Sequence, residues 1–333
     1  MDMQAWAVDH PAPIDDGPLR KVRRTVPEPG SGEVLVQVEA CGICRTDLHL
    51  CEGDLAPKRP GVVPGHQVVG KVVDRGGRFS PGDRVGIAWL RGTDGTCEFC
   101  RAGAENLCPQ STYTGWDADG GFAEYAVVPE DYAYALPTDR PPEELAPFLC
   151  AGIIGYRSLL RASLPPGGRL GIYGFGSSAH LTAQIAAAQG AELFVMTRGA
   201  GNQALARELG ASFVGETADR PPTPLDSAIV FAPAGEVVPY ALEALKPGGT
   251  VAVAGIYLSD VPQLNYERQL FHERDLRSVT SNTRRDGEEL FRLVARLPVR
   301  AHTTVVSLDA VDQALADLAH GRASGSLVAV PTT

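Results

Sequence analysis

The stretch Arg169-Leu170-Gly171-Ile172-Tyr173-Gly174-Phe175-Gly176-Ser177-Ser178-Ala179 decides the fold. Arg169–Tyr173 has strand character, a glycine turn follows, and a helical segment over about Ser178–Gln189 runs until Gly190 stops it. The turn fits G-x-G-x-x-G/A. Its first glycine permits a tight bend, and its second lets backbone approach a pyrophosphate. The small third residue lets helix pack on strand, and the helix N-terminus offers N–H groups to the anion. Glycine turns are common, so the meaning comes from the context of strand before and helix after. That context predicts a dinucleotide site over a merely structural turn.

Outward from this turn the texture repeats. Strand Glu192–Met196 is followed by helix Asn202–Leu209, closed by Gly210, and then by strand Ser227–Ala232. Helix Val237–Leu245 and the turn Lys246-Pro247-Gly248-Gly249 lead into strand Thr250–Ala254. Strand alternating with short helix predicts a doubly wound parallel sheet. Upstream, Glu143-Glu144 and the apolar run Leu145–Leu160 read as one helix, ended at Leu164-Pro165-Pro166-Gly167-Gly168. From Ala5 to about Pro137 the pattern is instead short strands: Glu33–Glu39 alternates at period two, Val68–Val73 is apolar around Gly70, and Asp83–Ala88 follows a Pro-Gly turn. Beyond Ser281, helical patterns Gly287–Arg296 and Leu308–His320 precede a last strand, Ser326–Val330. That tail is short for a domain and is expected to pack back onto the N-terminal part. A chain of 333 residues suits about two domains. The expected division is 1–140 with 282–333, and 141–281.

Composition narrows the function. Hydrophobic residues make up 44% of the chain and the formal charge is −10, values too apolar for disorder and too acidic for a nucleic-acid or anionic-membrane binder. No apolar run approaches the roughly 18 residues of a membrane span. Met1–His10 has neither a basic start nor an apolar core, so a cytoplasmic protein is expected. Seven cysteines lie at 41, 44, 51, 97, 100, 108 and 150, an odd number confined to the first half. That distribution argues against a disulfide framework and for metal binding.

Cofactor choice is read at the end of the second strand of the alternating region. A carboxylate there would grip the ribose hydroxyls of NAD, but Phe194-Val195-Met196 runs into Thr197-Arg198. Arg198 could hold a 2′-phosphate, which favours NADP over NAD; the alternative is a solvated surface arginine. His180, just inside the helix, could approach the phosphates or could equally be plain core.

Cys97-x2-Cys100-x7-Cys108 places three thiols in twelve residues of turn-rich sequence, which reads as a structural zinc lobe. A fourth ligand is needed. Asp94 repeats the x2 interval before Cys97, and a carboxylate keeps the charge a thiolate would supply; Glu98 and water are competitors. Three reduced thiols without metal are the other reading. Cys44 stands in Cys41-Gly42-Ile43-Cys44-Arg45-Thr46-Asp47-Leu48-His49, with Gly65-His66-Gln67 some twenty residues on and Cys150 far beyond. Two cysteines and a histidine would leave zinc an open position for catalysis, although spacing alone cannot join residues so distant.

These motifs resemble the zinc-dependent alcohol dehydrogenases of the medium-chain dehydrogenase/reductase superfamily over nearly the whole chain. The resemblance rests on Cys44–His49, Pro64-Gly65-His66, Trp89-Leu90, Cys100-x7-Cys108, Cys150-Ala151-Gly152-Ile153-Ile154-Gly155-Tyr156 and the turn Gly174–Ala179. It implies an α/β protein in which a mainly-β, partly open barrel-like catalytic domain accompanies a Rossmann domain. It further implies that Cys44, His66 and Cys150 bind catalytic zinc, and that Thr46 and His49 relay a proton. By the same resemblance Arg45 contacts the cofactor pyrophosphate and Asp47 orients His66, while Trp89 and Trp116 fall where the family lines a substrate pocket or are plain core. The reaction implied is hydride transfer between a small or medium primary alcohol or aldehyde and a nicotinamide held between the domains. Family-like pairing into a dimer or tetramer would suit a sheet edge near Thr250–Ala254.

Two departures stand out. Gln67 follows the zinc histidine where the family has Glu, which should alter metal exchange or rate without losing zinc. Asp94 stands where the lobe's first cysteine normally is, which bears on lobe stability more than on chemistry. Cys41 and Cys51 match no ligand position and read as packing residues. Two rival functions stay open: a non-catalytic NADPH- and zinc-binding redox sensor, and a zinc-independent quinone or enone reductase. The intact Thr46/His49 pair speaks against the first, and the three zinc ligands against the second.

Overall fold

In the computed structural model, which describes residues 1–74, 77–323 and 325–332, the glycine turn joins strand Arg169–Tyr173 to helix Ser177–Ala188. Around that strand lies a six-stranded sheet, every pairing in it parallel. Its order is Phe213–Gly215, Glu192–Met196, Arg169–Tyr173, Leu225–Val230, Leu245–Val253, Asp275–Ser278. In chain order this is 3-2-1-4-5-6, the Rossmann arrangement, whose order reverses between Arg169–Tyr173 and Leu225–Val230. Leu170, Ile172, Val195, Ile229 and Val251 are completely buried, as parallel strands covered on both faces require. Helix Ala151–Ala162 crosses helix Ser177–Ala188 at Gly155, where a Cβ would lie 2.2 Å from Thr182 Oγ1.

Two expectations are corrected here. Thr250–Ala254 is not a sheet edge: Leu245–Val253 pairs with Leu225–Val230 on one side and Asp275–Ser278 on the other, so Asp275–Ser278 forms the edge. That strand reads Asp-Leu-Arg-Ser and carries no apolar alternation to betray it. Nor is Leu145–Leu160 one helix. A helical turn over Pro142–Leu145 and a 3-10 turn over Ala146–Leu149 end at Cys150, whose φ of −131° and ψ of −73° leave the helical region before helix Ala151–Ala162 begins. Pro147 lacks the N–H that a continuous helix would use. Leu149 packs against Gly86, whose Cβ would lie 2.5 Å from Leu149 Cδ2.

That break coincides with a division of the chain. One unit comprises Met1–Cys150, Ser281–Ala295 and Arg300–Thr333, and the other Ala151–Thr280 with Arg296–Val299. The boundary lies ten residues beyond the 140/141 point expected from sequence, because 142–149 pack into the β-rich unit. In that unit the eleven-residue strand Glu33–Ile43 is the spine. Gln67–Asp74 runs antiparallel along one side, while the other side takes Tyr125–Pro129 at its start and Ser326–Val330 at its end. The sheet continues through Arg84–Ile87 to Ala133–Ala135, and Thr303–Ser307 lies parallel to Ser326–Val330, making it mixed. The core behind it includes Val34, Val36, Val68, Val72, Ile87, Phe122 and Val128.

Gly70, inside the apolar run of its strand, is there because the backbones meet. A Cβ would sit 2.2 Å from Gln37 O, next to an irregularity in register between Val38 and Ala40. Glycine in a strand interior marks such close approach. Gly70→Ala is therefore expected to destabilise the protein by about 2–3 kcal/mol. The check is the urea midpoint of zinc-loaded protein; a midpoint equal to wild type would mean the strands part there at no cost.

Candidate functional site

Cys44 ends the long central strand region and caps helix Arg45–Glu52: its Sγ accepts the Thr46 N–H at 3.3 Å. Three residues on, Asp47 completes a capping box, its Oδ2 accepting the Cys44 N–H at 2.9 Å. The other oxygen of the same carboxylate reaches a different segment. Asp47 Oδ1 accepts the Gly65 N–H at 3.0 Å and lies 3.0 Å from His66 Nδ1. This turns His66 Nε2 toward Cys44 Sγ, 3.5 Å away. Gly65 has φ of +96°, and a Cβ on it would strike Phe122 N at 2.7 Å, so only glycine lets the chain pass here.

Cys150, at the helix break, completes the group: the ligand atoms of Cys44, His66 and Cys150 all lie within 4.8 Å of one another. Their electrostatics are tightly linked. The Cys150 thiol hydrogen-bonds the Cys44 sulfur, which with His66 nearby holds Cys44 well below the ordinary thiol range. The same bond and burial push Cys150 up. Burial disfavours a charged His66, but the Asp47 carboxylate and the Cys44 sulfur outweigh it and raise the imidazole. Burial also lifts the Asp47 carboxyl above its usual range. A proton shared between two sulfurs is the place a dication takes when it deprotonates both. Two sulfurs, one imidazole nitrogen and a carboxylate behind that imidazole fit zinc with a fourth position left open.

On the same helix His49 Nδ1 lies 2.8 Å from Asp54 Oδ2, across the Gly53 cap; His49 is half-buried and Asp54 exposed. Arg45 is exposed at the helix start. Gln67 is buried, its amide oxygen 2.7 Å from where a Gly42 Cβ would be. Cys41 and Cys51 are fully buried in the core. Trp89 meets His66 edge-on, with ring centroids 5.1 Å apart and planes at 74°. It stacks on Tyr113 at 4.9 Å and on Trp116 at 6.0 Å. Tyr113 and Asp54 were missed from sequence. Asp54 sits just past the helix that bears His49, a signal of position alone, and nothing marked Tyr113.

A second cluster lies in the same unit. Asp94, Cys97, Cys100 and Cys108 also place their ligand atoms within 4.8 Å of one another. Asp94 Oδ1 accepts the N–H groups of Thr96 and Cys97 at 2.8 and 2.9 Å, which hold its carboxyl below the ordinary range. Cys97 Sγ accepts the Cys100 N–H at 3.5 Å, and Cys108 Sγ those of Gln110 and Asp94 at 3.4 and 3.5 Å. Glu98, the other protein ligand considered for the fourth place, is not among the grouped side chains. The lobe is tied down by Glu105, which accepts from the Arg284 guanidinium and backbone, and by Thr93 Oγ1, 2.8 Å from the Tyr132 hydroxyl.

In the other unit, Gly174 has φ of +84° and a Cβ there would lie 2.8 Å from Ala232 N. Gly176, by contrast, caps the helix and has nothing within 4 Å of a would-be Cβ, so the space above the helix N-terminus is open. Phe175 and Ala179 are buried, Ser177 and Ser178 open the helix, and Thr197 and Arg198 follow strand Glu192–Met196. Thr197 is buried and Arg198 exposed. An open glycine cradle at a twelve-residue helix fits a dinucleotide phosphate. His180 is buried, with Nδ1 3.3 Å from Gly176 O.

The chain is similar to known proteins. Residues 30–138 match the alcohol dehydrogenase GroES-like domain family, and residues 179–296 the zinc-binding dehydrogenase family. The chain is 58% identical to the probable alcohol dehydrogenase AdhA of Mycobacterium tuberculosis (strain CDC 1551 / Oshkosh), over 98% of this chain and 96% of that one. It superposes with a TM-score of 0.88 on a cinnamyl alcohol dehydrogenase (SbCAD4) from Sorghum bicolor, 28% identical, covering 99% and 98% of the two chains. A solved protein of Sinorhizobium meliloti 1021 bound to NADP gives 0.87 at 28% identity, covering 99% and 100%. The chain therefore belongs to the zinc-dependent alcohol dehydrogenases of the medium-chain dehydrogenase/reductase superfamily, alcohol oxidoreductases that work with a nicotinamide cofactor.

Proposed function

We propose that this enzyme transfers hydride between a primary alcohol or aldehyde and NADP(H), with one catalytic and one structural zinc in each chain. The observation that carries the reading is the convergence of Cys44, His66 and Cys150 around one point, with Asp47 behind the imidazole. Zinc bound there would polarise the substrate oxygen, and the nicotinamide would take or give the hydride. The protein's part is to position and to move a proton. Asp47 holds His66 with Nε2 toward the sulfurs. Thr46 and His49 share a helix with Cys44, and Asp54 orients the His49 ring at the surface, a fitting exit for the proton a substrate alcohol must lose. Arg45, exposed on that helix, would serve the cofactor's pyrophosphate.

Asp94, Cys97, Cys100 and Cys108 would hold the structural zinc. Gly174–Ala179 with Thr197 and Arg198 would hold the cofactor, and the absence of a carboxylate after Met196 supports NADP, as does the NADP-bound relative. The functional division would follow the two compact units: Met1–Cys150 with Ser281–Ala295 and Arg300–Thr333 for catalysis, Ala151–Thr280 with Arg296–Val299 for the nucleotide. A homo-oligomer, dimer or tetramer, is supported by the edge strand Asp275–Ser278 and by exposed Ile256, Tyr257, Tyr266 and Phe271 in the segment before it. A cytoplasmic setting is supported by seven free cysteines, five of them in metal-type groupings. Among the described residues no helix is long and apolar enough to cross a membrane.

The test is oxidation of NADPH and NADH with a panel of aldehydes, before and after a zinc chelator, alongside metal analysis. Chelator-sensitive turnover faster with NADPH is expected, with Arg198→Ala lowering that preference about tenfold through loss of a charge-assisted contact. Faster turnover with NADH would remove Arg198 from the cofactor site. Zinc-loaded protein that binds nucleotide but turns nothing over would favour the sensor instead. Asp47→Asn should loosen the catalytic zinc about 10- to 100-fold, because an outer carboxylate sets ligand orientation and basicity. Competition with a chromophoric chelator reads this directly, and retention equal to wild type would deny Asp47 that role.

A further inference from the structure

We propose that Gln203 sets the preference for NADP over NAD by holding the Glu216 carboxylate away from Arg198, an inference that rests on the cofactor reading above. Two strand ends meet here. Met196 and Gly215 are register partners, and Thr197, next in the chain after Met196, donates its N–H to Gly215 O at 2.9 Å. Glu216 therefore leaves its strand beside the Thr197-Arg198 turn. Gln203 belongs to helix Ala200–Glu208, which follows that turn. Its side-chain amide nitrogen donates in two directions, to Thr197 O at 3.1 Å and to Glu216 Oε1 at 2.7 Å. The backbone of both strand ends is held as well: Asp219 Oδ2 accepts the Glu216 N–H at 2.8 Å, and Asn202 Nδ2 donates to Arg198 O at 3.4 Å.

Charge gives this clamp its consequence. Arg198 and Glu216 are both exposed, one at each strand end. A carboxylate so near a guanidinium ordinarily pairs with it, through the same fork of N–H groups that would take a phosphate. Here that pair does not form: one Glu216 oxygen is spent on Gln203, and among the described residues no carboxylate pairs with Arg198. Room for a phosphate is present too, since a Cβ on Gly199 or Gly201 would have nothing within 4 Å. A released Glu216 would both occupy Arg198 and repel a 2′-phosphate, whereas NAD, with a hydroxyl at that place, would lose little. Gln203 is half-buried and would act on the cofactor only through Glu216 and the turn, so it is a positioning residue.

The experiment titrates NADPH and NADH, which differ only in the 2′-phosphate, against zinc-loaded wild type, Gln203→Ala, Glu216→Ala and the Gln203→Ala/Glu216→Ala double variant. Binding is read from nicotinamide fluorescence with no substrate present, so no turnover is needed. Gln203→Ala is expected to raise the Kd of NADPH about fivefold, the scale of an exposed ion pair, and to change that of NADH by less than about twofold. Glu216→Ala should bind NADPH at least as tightly as wild type. The double variant should return to within about twofold of wild type, because the loss comes from the freed carboxylate and not from the missing amide. The gap between wild type and Gln203→Ala should narrow at about 0.5 M salt, which screens exposed charges and leaves a packing defect as it was. Equal weakening of both cofactors, a double variant as weak as Gln203→Ala, or a gap indifferent to salt would overturn the proposal. A wild type that binds NADH more tightly than NADPH would sink the NADP reading, while selective loss of NADPH in Gln203→Ala with recovery in the double variant would keep the inference. A wild type that favours NADPH, with Gln203→Ala identical to it, would sink the inference alone.

Discussion

One buried carboxylate organises the catalytic unit. Asp47 is 3% exposed, and an ionised side chain that far from water is tolerated only when its lone pairs are taken. They are taken by the Cys44 N–H, the Gly65 N–H and His66 Nδ1. The first closes a helix N-terminus, the second pins a turn eighteen residues away, and the third sets an imidazole. Remove any one and the carboxylate loses compensation for its burial, so helix, turn and ring are held in a common geometry. The group that would orient a metal ligand is also the group that caps the helix bearing Thr46 and His49. Placement of Cys44 and His66, and of the helix that carries Thr46 and His49, thus depends on the same three hydrogen bonds.

The third member of the group, Cys150, is brought in by a different device. Cys150 occupies the single residue between a 3-10 turn and a long helix, with backbone angles that belong to neither. A thiol on a continuous helix would point where the helix surface sends it. At a break it is placed by what packs on either side, here Leu149 buried against Gly86 before it and Ala151 buried after it. The two compact units meet in sequence at this residue. The chain changes from β-rich to α/β texture at the residue that completes the Cys44, His66 and Cys150 group.

Four of the six strands of the nucleotide sheet were legible because each is long and apolar enough to show its period, and Arg169–Tyr173 and Glu192–Met196 have the same ends in sequence and structure. Phe213–Gly215, three residues at one edge, escaped. Asp275–Ser278 escaped, being four polar-leaning residues at an edge, and so an edge was expected one strand too early. The break at Cys150 escaped because Leu145–Leu160 is apolar at helical spacing throughout; only Pro147 hinted otherwise. In the candidate site, ligands close in sequence were readable from spacing, whereas the grouping of Cys44, His66 and Cys150 came from resemblance. Tyr113 gave no local signal and Asp54 only its position just past the helix of His49, since each matters through a neighbour that only tertiary folding supplies.

Asp94 shows how a lobe can exchange a sulfur for an oxygen without losing its form. Its Oδ1 accepts two backbone N–H groups, from residues two and three positions on. Cys108 Sγ accepts its own pair, from Asp94 and Gln110. The carboxylate therefore does for its turn what the Cys108 sulfur does for its own, and would offer its second oxygen to a metal. Those amides also hold Asp94 ionised, which preserves the negative charge a cysteine would bring to zinc. The remaining difference is donor softness, and oxygen is the less thiophilic partner for zinc. Here the surroundings matter: Arg284 grips Glu105, and Tyr132 meets Thr93, one residue before Asp94. A lobe anchored at both ends to the body of the unit needs less from its metal to stay folded, and that is the setting in which a weaker fourth ligand can be kept.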